Sequence, residues 1–195
     1  MHTLILDTSS KIALIAIAKA DEICACHFYV HENQLSKSFL PSIKSILTSY
    51  PRIDKIAVGI GPGSYTGTRV GVTIARTLSF GLKIVCQSFY SPLAYIPYHL
   101  GRFSFLLPNK SGQFLLIKGI RKKNFLESDE PVLIENLELY EKIIDSDYLI
   151  SDRSFDLSIP CLLPTVNPQG LLPLLNNPPP NTENKKIFYH HTPPI

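Results

Sequence analysis

Gly59-Ile60-Gly61-Pro62-Gly63-Ser64-Tyr65-Thr66-Gly67-Thr68-Arg69-Val70-Gly71 follows the apolar run Ile56-Ala57-Val58 and leads into an amphipathic segment ending near Leu82. Five glycines fall in these thirteen residues. Glycine is selected where the backbone needs a positive φ or where another surface comes against bare main chain. A strand-to-helix turn also presents free N–H groups at the helix N-terminus, a ready anion site. Two readings follow: tight packing of loop and helix on a neighbour, or a loop that binds an anion or a partner. The two standard phosphate-loop patterns fail on register. The Walker form needs Lys after its last glycine, and no Lys lies in this loop; the dinucleotide form needs a third glycine where Ser64 or Thr66 stands.

Around this loop the pattern is regular. Thr3–Thr8, Ile12–Ala18 and Ile23–Val30 read as strands joined by short polar connections, hence an antiparallel meander. Leu35, Phe39, Leu40, Ile43, Ile46, Leu47 and Tyr50 recur near the 3.6-residue period of a helix, closed by Pro51, with Pro41 expected to kink the helix or mark its start. The strand Ile56–Ile60, the loop, a helix over about Thr66–Leu82 and a strand over Lys83–Cys86 follow. The order β-β-β-α-β-α-β predicts a mixed sheet flanked by helices, as in ribonuclease H-like and actin-like ATPase folds. Beyond Ser91-Pro92 the pattern weakens. Strands at Phe103–Leu107, Gln113–Gly119 and Tyr148–Ser151 and a helix at Glu135–Ile144 predict a second, reduced α/β domain. We therefore expect domains at 1–100 and 101–195, with a proline-rich tail from about 176; nine of the sixteen prolines lie beyond residue 159.

The net charge is only +3, yet no Asp or Glu occurs between Asp54 and Glu127, while ten Lys and Arg do. That asymmetry allows an anionic partner, RNA or nucleotide phosphate, and equally allows solvated surface cations. Cys24, Cys26, Cys86 and Cys161 match neither a zinc spacing nor a disulfide framework. Met1-His2-Thr3-Leu4 lacks the features of a signal peptide, and no apolar run is long enough to span a bilayer, so the expected location is the cytoplasm, with no membrane partner.

Asp7-Thr8-Ser9 ends the first strand where sugar-kinase-like folds hold metal-bound phosphate, which makes Asp7, Thr8 and Ser9 candidate nucleotide contacts. The following turn has no glycine, which favours an Asx or Ser/Thr turn instead. A two-metal nuclease needs three or four convergent carboxylates, and the acid-free span covers the later elements where they would sit. No H-x-x-x-H pair is present, and no metal ligand set is assigned.

Leu4-Ile5-Leu6-Asp7-Thr8-Ser9, the Leu40-Pro41 helix and above all Gly61–Gly71 resemble the TsaB (YeaZ) family of glycoprotease-like proteins, whose motif reads G-P-G-S-[FY]-T-G-x-R-[IV]-G. The resemblance covers about the first 100 residues. It implies an actin-like fold of two related domains and a non-catalytic subunit of tRNA threonylcarbamoyladenosine synthesis that dimerises with a TsaD-like catalytic subunit, joined by a TsaE-like ATPase, with tRNA bound through the complex. The reaction so served is threonylcarbamoyl transfer to N6 of adenosine 37. No cofactor is implied on this chain itself; ATP and a divalent metal are implied on the partner subunits. The implied partner interface comprises Leu35, Phe39, Ile43, Ile46, Tyr65, Arg69, Val70, Ile74 and Leu78, and the motif loop Gly61, Pro62, Gly63, Ser64, Thr66, Gly67 and Gly71. A face made for a paralogue also allows a homodimer of the isolated chain. Two positions depart from the family pattern: Leu35 replaces a common histidine, and Pro108-Asn109-Lys110-Ser111-Gly112-Gln113 replaces D-A-[RK]-x-G-[EQ]. The rival functions are an actin-fold ATP-dependent phosphotransferase built on Asp7 and a stand-alone RNA-binding module.

Overall fold

The computed structural model of the chain describes residues 1–30, 35–109 and 112–178, with the side chains of 35–38 outside the description. Its first elements are β1 (His2–Asp7), β2 (Ile12–Lys19), β3 (Glu22–Val30), α1 (Leu35–Ser49), β4 (Lys55–Gly59), α2 (Tyr65–Leu82) and β5 (Val85–Phe89). They form a five-stranded sheet in the order β3-β2-β1-β4-β5. The β1–β2 and β2–β3 pairs are antiparallel, whereas β1–β4 and β4–β5 are parallel. Links of four and two residues permit the former; the latter need helical crossovers. Leu4, Ile5 and Leu6 are fully buried, which accounts for an unbroken apolar run in a central strand rather than an alternating one.

The crossovers β3-α1-β4 and β4-α2-β5 run the same way across the sheet, so right-handed connection puts both helices on one face. Packing agrees. Phe39 of α1 meets Tyr29 edge-on, and Gly71 of α2 lies against Thr8, with Ala13 pairing Tyr29 on that same face. The helix continues through Pro41, which is neither its start nor its end. The strand expected from Lys83 begins at Val85 instead. Lys83 adopts the left-handed conformation (φ 56°) and its N–H caps the carbonyls of Phe80 and Ser79, so it closes the helix.

Met1–Ser91 make one compact unit and Pro92–Asn177 another. Residues 92–100, allotted by the sequence to the first domain, pack in the second: Leu93, Ala94 and Ile96 are buried, and Asn167 bonds the carbonyls of Ala94 and Ile96. The second unit holds β6 (Gly101–Pro108), β7 (Phe114–Lys122), β8 (Phe125–Ser128), β9 (Val132–Ile134), α3 (Leu139–Ile143), β10 (Tyr148–Ile150), β11 (Cys161–Leu162) and α4 (Leu172–Asn176). Its sheet runs β11-β10-β6-β7-β8, with β9 also pairing β7. Leu106, Phe114, Leu116, Ile134, Leu139, Ile143 and Leu149 form a core cluster. The helix expected over Glu135–Ile144 divides into a 3-10 turn at Asn136–Glu138 and the short α3, because Glu135 and Glu138 close a reciprocal capping box before α3 begins. Strands β8, β9 and β11 and helix α4 went unread in the sequence. In α4, Pro173 sits in the first turn, where proline needs no N–H partner.

Candidate functional site

The glycine loop folds down onto the turn after β1. Ser64 N–H donates to Ser9 O at 2.6 Å, and Thr8 Oγ1 donates to Gly67 O at 2.6 Å. A Cβ on Gly63 would overlap Ser9 O, one on Gly67 would overlap Thr8 O, and one on Gly71 would overlap Thr8 Oγ1. Three of the motif glycines therefore serve close approach. Gly61 alone in the loop needs a positive φ, 87°, and it precedes Pro62 through a cis peptide bond. Ser64 caps α2, accepting Gly67 N–H on Oγ at 3.2 Å and Thr68 N–H on its carbonyl at 2.9 Å. Gly61, Pro62, Gly67 and Gly71 are buried, whereas Gly63, Ser64 and Thr66 are exposed.

The packing reading of the loop is realised at residues 8–9: Ser64 N–H bonds the Ser9 carbonyl, and the Gly67 carbonyl accepts the Thr8 hydroxyl. The polar turn after β1 is an Asx turn, with Ser9 N–H on Asp7 Oδ1 at 3.0 Å.

Asp7 is 0% exposed. Its Oδ1 also accepts from Ser91 Oγ at 3.1 Å, and Ser91 in turn accepts Gly61 N–H on Oγ at 2.9 Å and donates its own N–H to Gly61 O at 2.9 Å. Asp7 Oδ2 has no hydrogen-bond partner among the described residues. Burial pushes the carboxyl up from the ordinary 3.8 to about 6, against the opposing effect of hydrogen bonds from Ser9 and Ser91. Gly59 lies alongside, where a Cβ would come within 2.5 Å of Asp7 Oδ1. Nothing in the sequence singles out Ser91; it is a lone serine thirty residues from its partner Gly61, brought there by β5.

A carboxylate with no solvent exposure, beside a loop that bonds the Ser9 carbonyl, does not suit a divalent ion and nucleotide arriving from solvent. Protein groups hold Asp7 Oδ1, Thr8 and Ser9, while Asp7 Oδ2 meets none among the described residues. Among the described residues there is no group of three or more His, Cys, Asp or Glu placed to hold a metal.

The expected partner face divides in two. Phe39, Ile43 and Ile46 are buried within the chain, so this stripe of α1 is core and not a free surface. The correction has a simple cause: core and interface stripes on a helix share one period. The side chain of Leu35 lies outside the described residues. On α2, Val70, Ile74 and Leu78 are half-buried, while Tyr65 (43% exposed) and Arg69 stand outward. Arg69 Nη1 donates to Tyr65 Oη at 2.8 Å, and its guanidinium lies 5.2 Å from the centre of the Tyr65 ring. The same helix ends in Phe80, 88% exposed, a residue the periodicity did not single out as interface. Leu40 on α1 is also exposed.

The basic middle segment is not one free patch. Lys118 pairs with Asp145 at 2.6 Å, Arg102 with Asp147 at 3.8 Å, and Arg121 is buried.

The first sheet, with two helices on one face and a second α/β unit following, defines an α/β protein of the actin-like ATPase and ribonuclease H-like class. At TM-score 0.72 it superposes on a crystal structure from Pseudomonas aeruginosa described as an uncharacterized protein with similarity to peptidase YEAZ, at 16% identity over 97% of this chain and 99% of that one. YeaZ from Pseudomonas aeruginosa gives TM-score 0.67 at 17% identity, covering 90% of each chain. The family model described as "TsaD: tRNA N6-adenosine threonylcarbamoyltransferase" matches residues 29–88. Over 88 residues the chain is 36% identical to the tRNA threonylcarbamoyladenosine biosynthesis protein TsaB of Bacillus subtilis, covering 43% of this chain and 38% of that protein. The Escherichia coli TsaB is 33% identical over 88 residues, with the same coverage. Over these residues the chain is similar to TsaB proteins, as its glycine motif indicated, and in fold it is similar to YeaZ. It spans 38% of the length of these curated relatives.

Proposed function

We propose that this chain is a non-catalytic subunit of tRNA threonylcarbamoyladenosine synthesis that docks a TsaD-like catalytic subunit through the outer face of α2 and the adjoining exposed part of α1. The observation that carries the reading is the ordered Tyr65–Arg69 pair on the exposed side of α2, with Phe80 four turns further along the same helix. Tyr and Arg held in place before association are the residue types that dominate interface energies, because little side-chain freedom remains to be lost. Burial of Asp7 and the Ser64–Ser9 bond support the non-catalytic part: the place where an actin-like enzyme would hold phosphate is occupied by main chain of this protein. ATP and divalent metal then belong to the partner subunits, a TsaE-like ATPase among them, and tRNA is engaged through the assembly in the cytoplasm.

Co-purification tests it. The wild-type chain brings down a TsaD-like protein from native cytoplasm, and Tyr65→Glu or Arg69→Glu, both at exposed positions, removes it while the variant keeps its melting temperature. Retention of the partner by folded variants rejects the α2 surface. The phosphotransferase reading is checked separately by calorimetric titration of the isolated chain with Mg-ATP, where heat lost in Asp7→Asn would establish it.

A further inference from the structure

Arg121 lies on β7 opposite Gly101 of β6 and Leu126 of β8, in the last stretch of the acid-free segment. It is 2% exposed, and neither Nε nor Nη1 has a hydrogen-bond partner among the described residues. No carboxylate pairs with it among the described residues. The guanidinium lies 5.1 Å from the centre of the Tyr98 ring, and Tyr98 and Tyr148 both interact electrostatically with it. A ring face attracts a cation but accepts none of its N–H bonds in their own plane. An arginine does not escape by deprotonating, and a buried charge persists only when it is paired and its donors are met. On this count Arg121 is incomplete.

We propose that Arg121 anchors a binding site for a small free oxyanion, a carboxylate or a phosphate, in the second unit. The planar guanidinium fork matches both groups. Two features around it suit such a site. At Gly170 a Cβ would lie 2.8 Å from Arg121 Nη1 and 2.8 Å from Asn167 Nδ2, so any larger residue there would close that side of the guanidinium. Tyr98, 69% exposed, covers another side with its ring and so stands between the guanidinium and solvent. The near-complete burial selects a small ion over the backbone of a nucleic acid.

The test uses the full chain, melted in sodium phosphate, sodium acetate and sodium chloride at matched ionic strength. The wild-type midpoint rises saturably with phosphate, acetate or both, and not with chloride, as expected of a ligand that binds only the folded state. Response to phosphate alone identifies a phosphate ligand, and response to acetate as well identifies a carboxylate. Arg121→Met, which fills the same volume without charge, melts higher than wild type in chloride and shows no anion response. Arg121→Lys, a single point charge without the fork, keeps the response but needs about tenfold more anion for half of it, the order of change expected when a bidentate contact becomes a single one. Identical wild-type midpoints in all three salts overturn the proposal, as does an Arg121→Met response equal to the wild type. Should Arg121→Met not fold, an unchanged half-saturation in Arg121→Lys overturns it equally.

Discussion

Asp7 in the first unit and Arg121 in the second both carry ionisable groups out of water, and both leave polar atoms unmet among the described residues, Oδ2 of Asp7 and Nε and Nη1 of Arg121, but only Asp7 can lose its charge by a proton change. Asp7 receives two donors on one oxygen, and with its carboxyl pushed up to about 6 it has a neutral form within reach of mild acid. Arg121 has an aromatic face, no acceptor on Nε or Nη1, and a charge that burial lowers in pKa without removing. The difference separates an acid enclosed by its own unit and able to become neutral from a base that stays charged with two donors unmet. In the first unit the glycine motif performs the closing.

Breaking that closure gives a large effect. Gly67→Ala drives a methyl into the Thr8 carbonyl, a backbone atom that cannot rotate away, and is expected to destabilise the chain by about 3 kcal/mol or more in urea melts. Gly81→Ala, on the same helix with open space around it, is the control, and gains about 0.5–1 kcal/mol from the better helix propensity.

The titration of Asp7 sharpens the comparison next. Its folded pKa is raised, so between 3.8 and about 6 the folded chain holds more proton than the unfolded chain, and stability contributed by this group falls as pH rises through that window. Asp7→Asn lacks the dependence. The stability of the variant relative to wild type should climb by on the order of 3 kcal/mol from pH 4 to pH 7 and stay level above, at about 1.4 kcal/mol per pKa unit. A flat difference across that range would show that Asp7 is not desolvated.

Ser91→Ala removes one donor to Asp7 Oδ1 and the acceptor of Gly61 N–H together, and leaves the Gly61 amide buried. The expected cost is about 1–3 kcal/mol, read from denaturant midpoints at constant m. The smallest stability effect falls on the outer face of α2. Tyr65→Glu should change stability by no more than about 0.5 kcal/mol, as for exposed sites elsewhere, whereas Ile43→Glu, which buries a charge in the core, should unfold the chain. That contrast separates core stripe from partner stripe on two neighbouring helices.

The elements of the first unit were legible because each is long and strongly periodic: β1 to β3, both helices and the strand before the loop stand where their apolar patterns place them, to within a few residues. The glycine run announced close packing or a ligand without deciding between them. The decision rests on Thr8 and Ser9, residues far away in sequence whose carbonyls carry no sequence signature. Phe39 and Ile43 were read as interface because spacing gives a face and not its neighbour. In the second unit, β8, β9, β11 and α4 are two to five residues long, too short to show a period, and the proline of α4 reads as a helix breaker until its first-turn position is known. Arg121 was legible only as one of a basic run; its burial depends on Tyr98, Tyr148 and Gly170, which tertiary structure alone brings together.

The claim that the motif builds a docking helix and not a reaction centre is tested most directly by calorimetric titration of the purified chain into a TsaD-like subunit, wild type against Arg69→Glu. A saturable one-to-one isotherm for the wild type, abolished in a variant of unchanged melting temperature, is the predicted result. Equal isotherms for the two chains, or no heat from either, would contradict it.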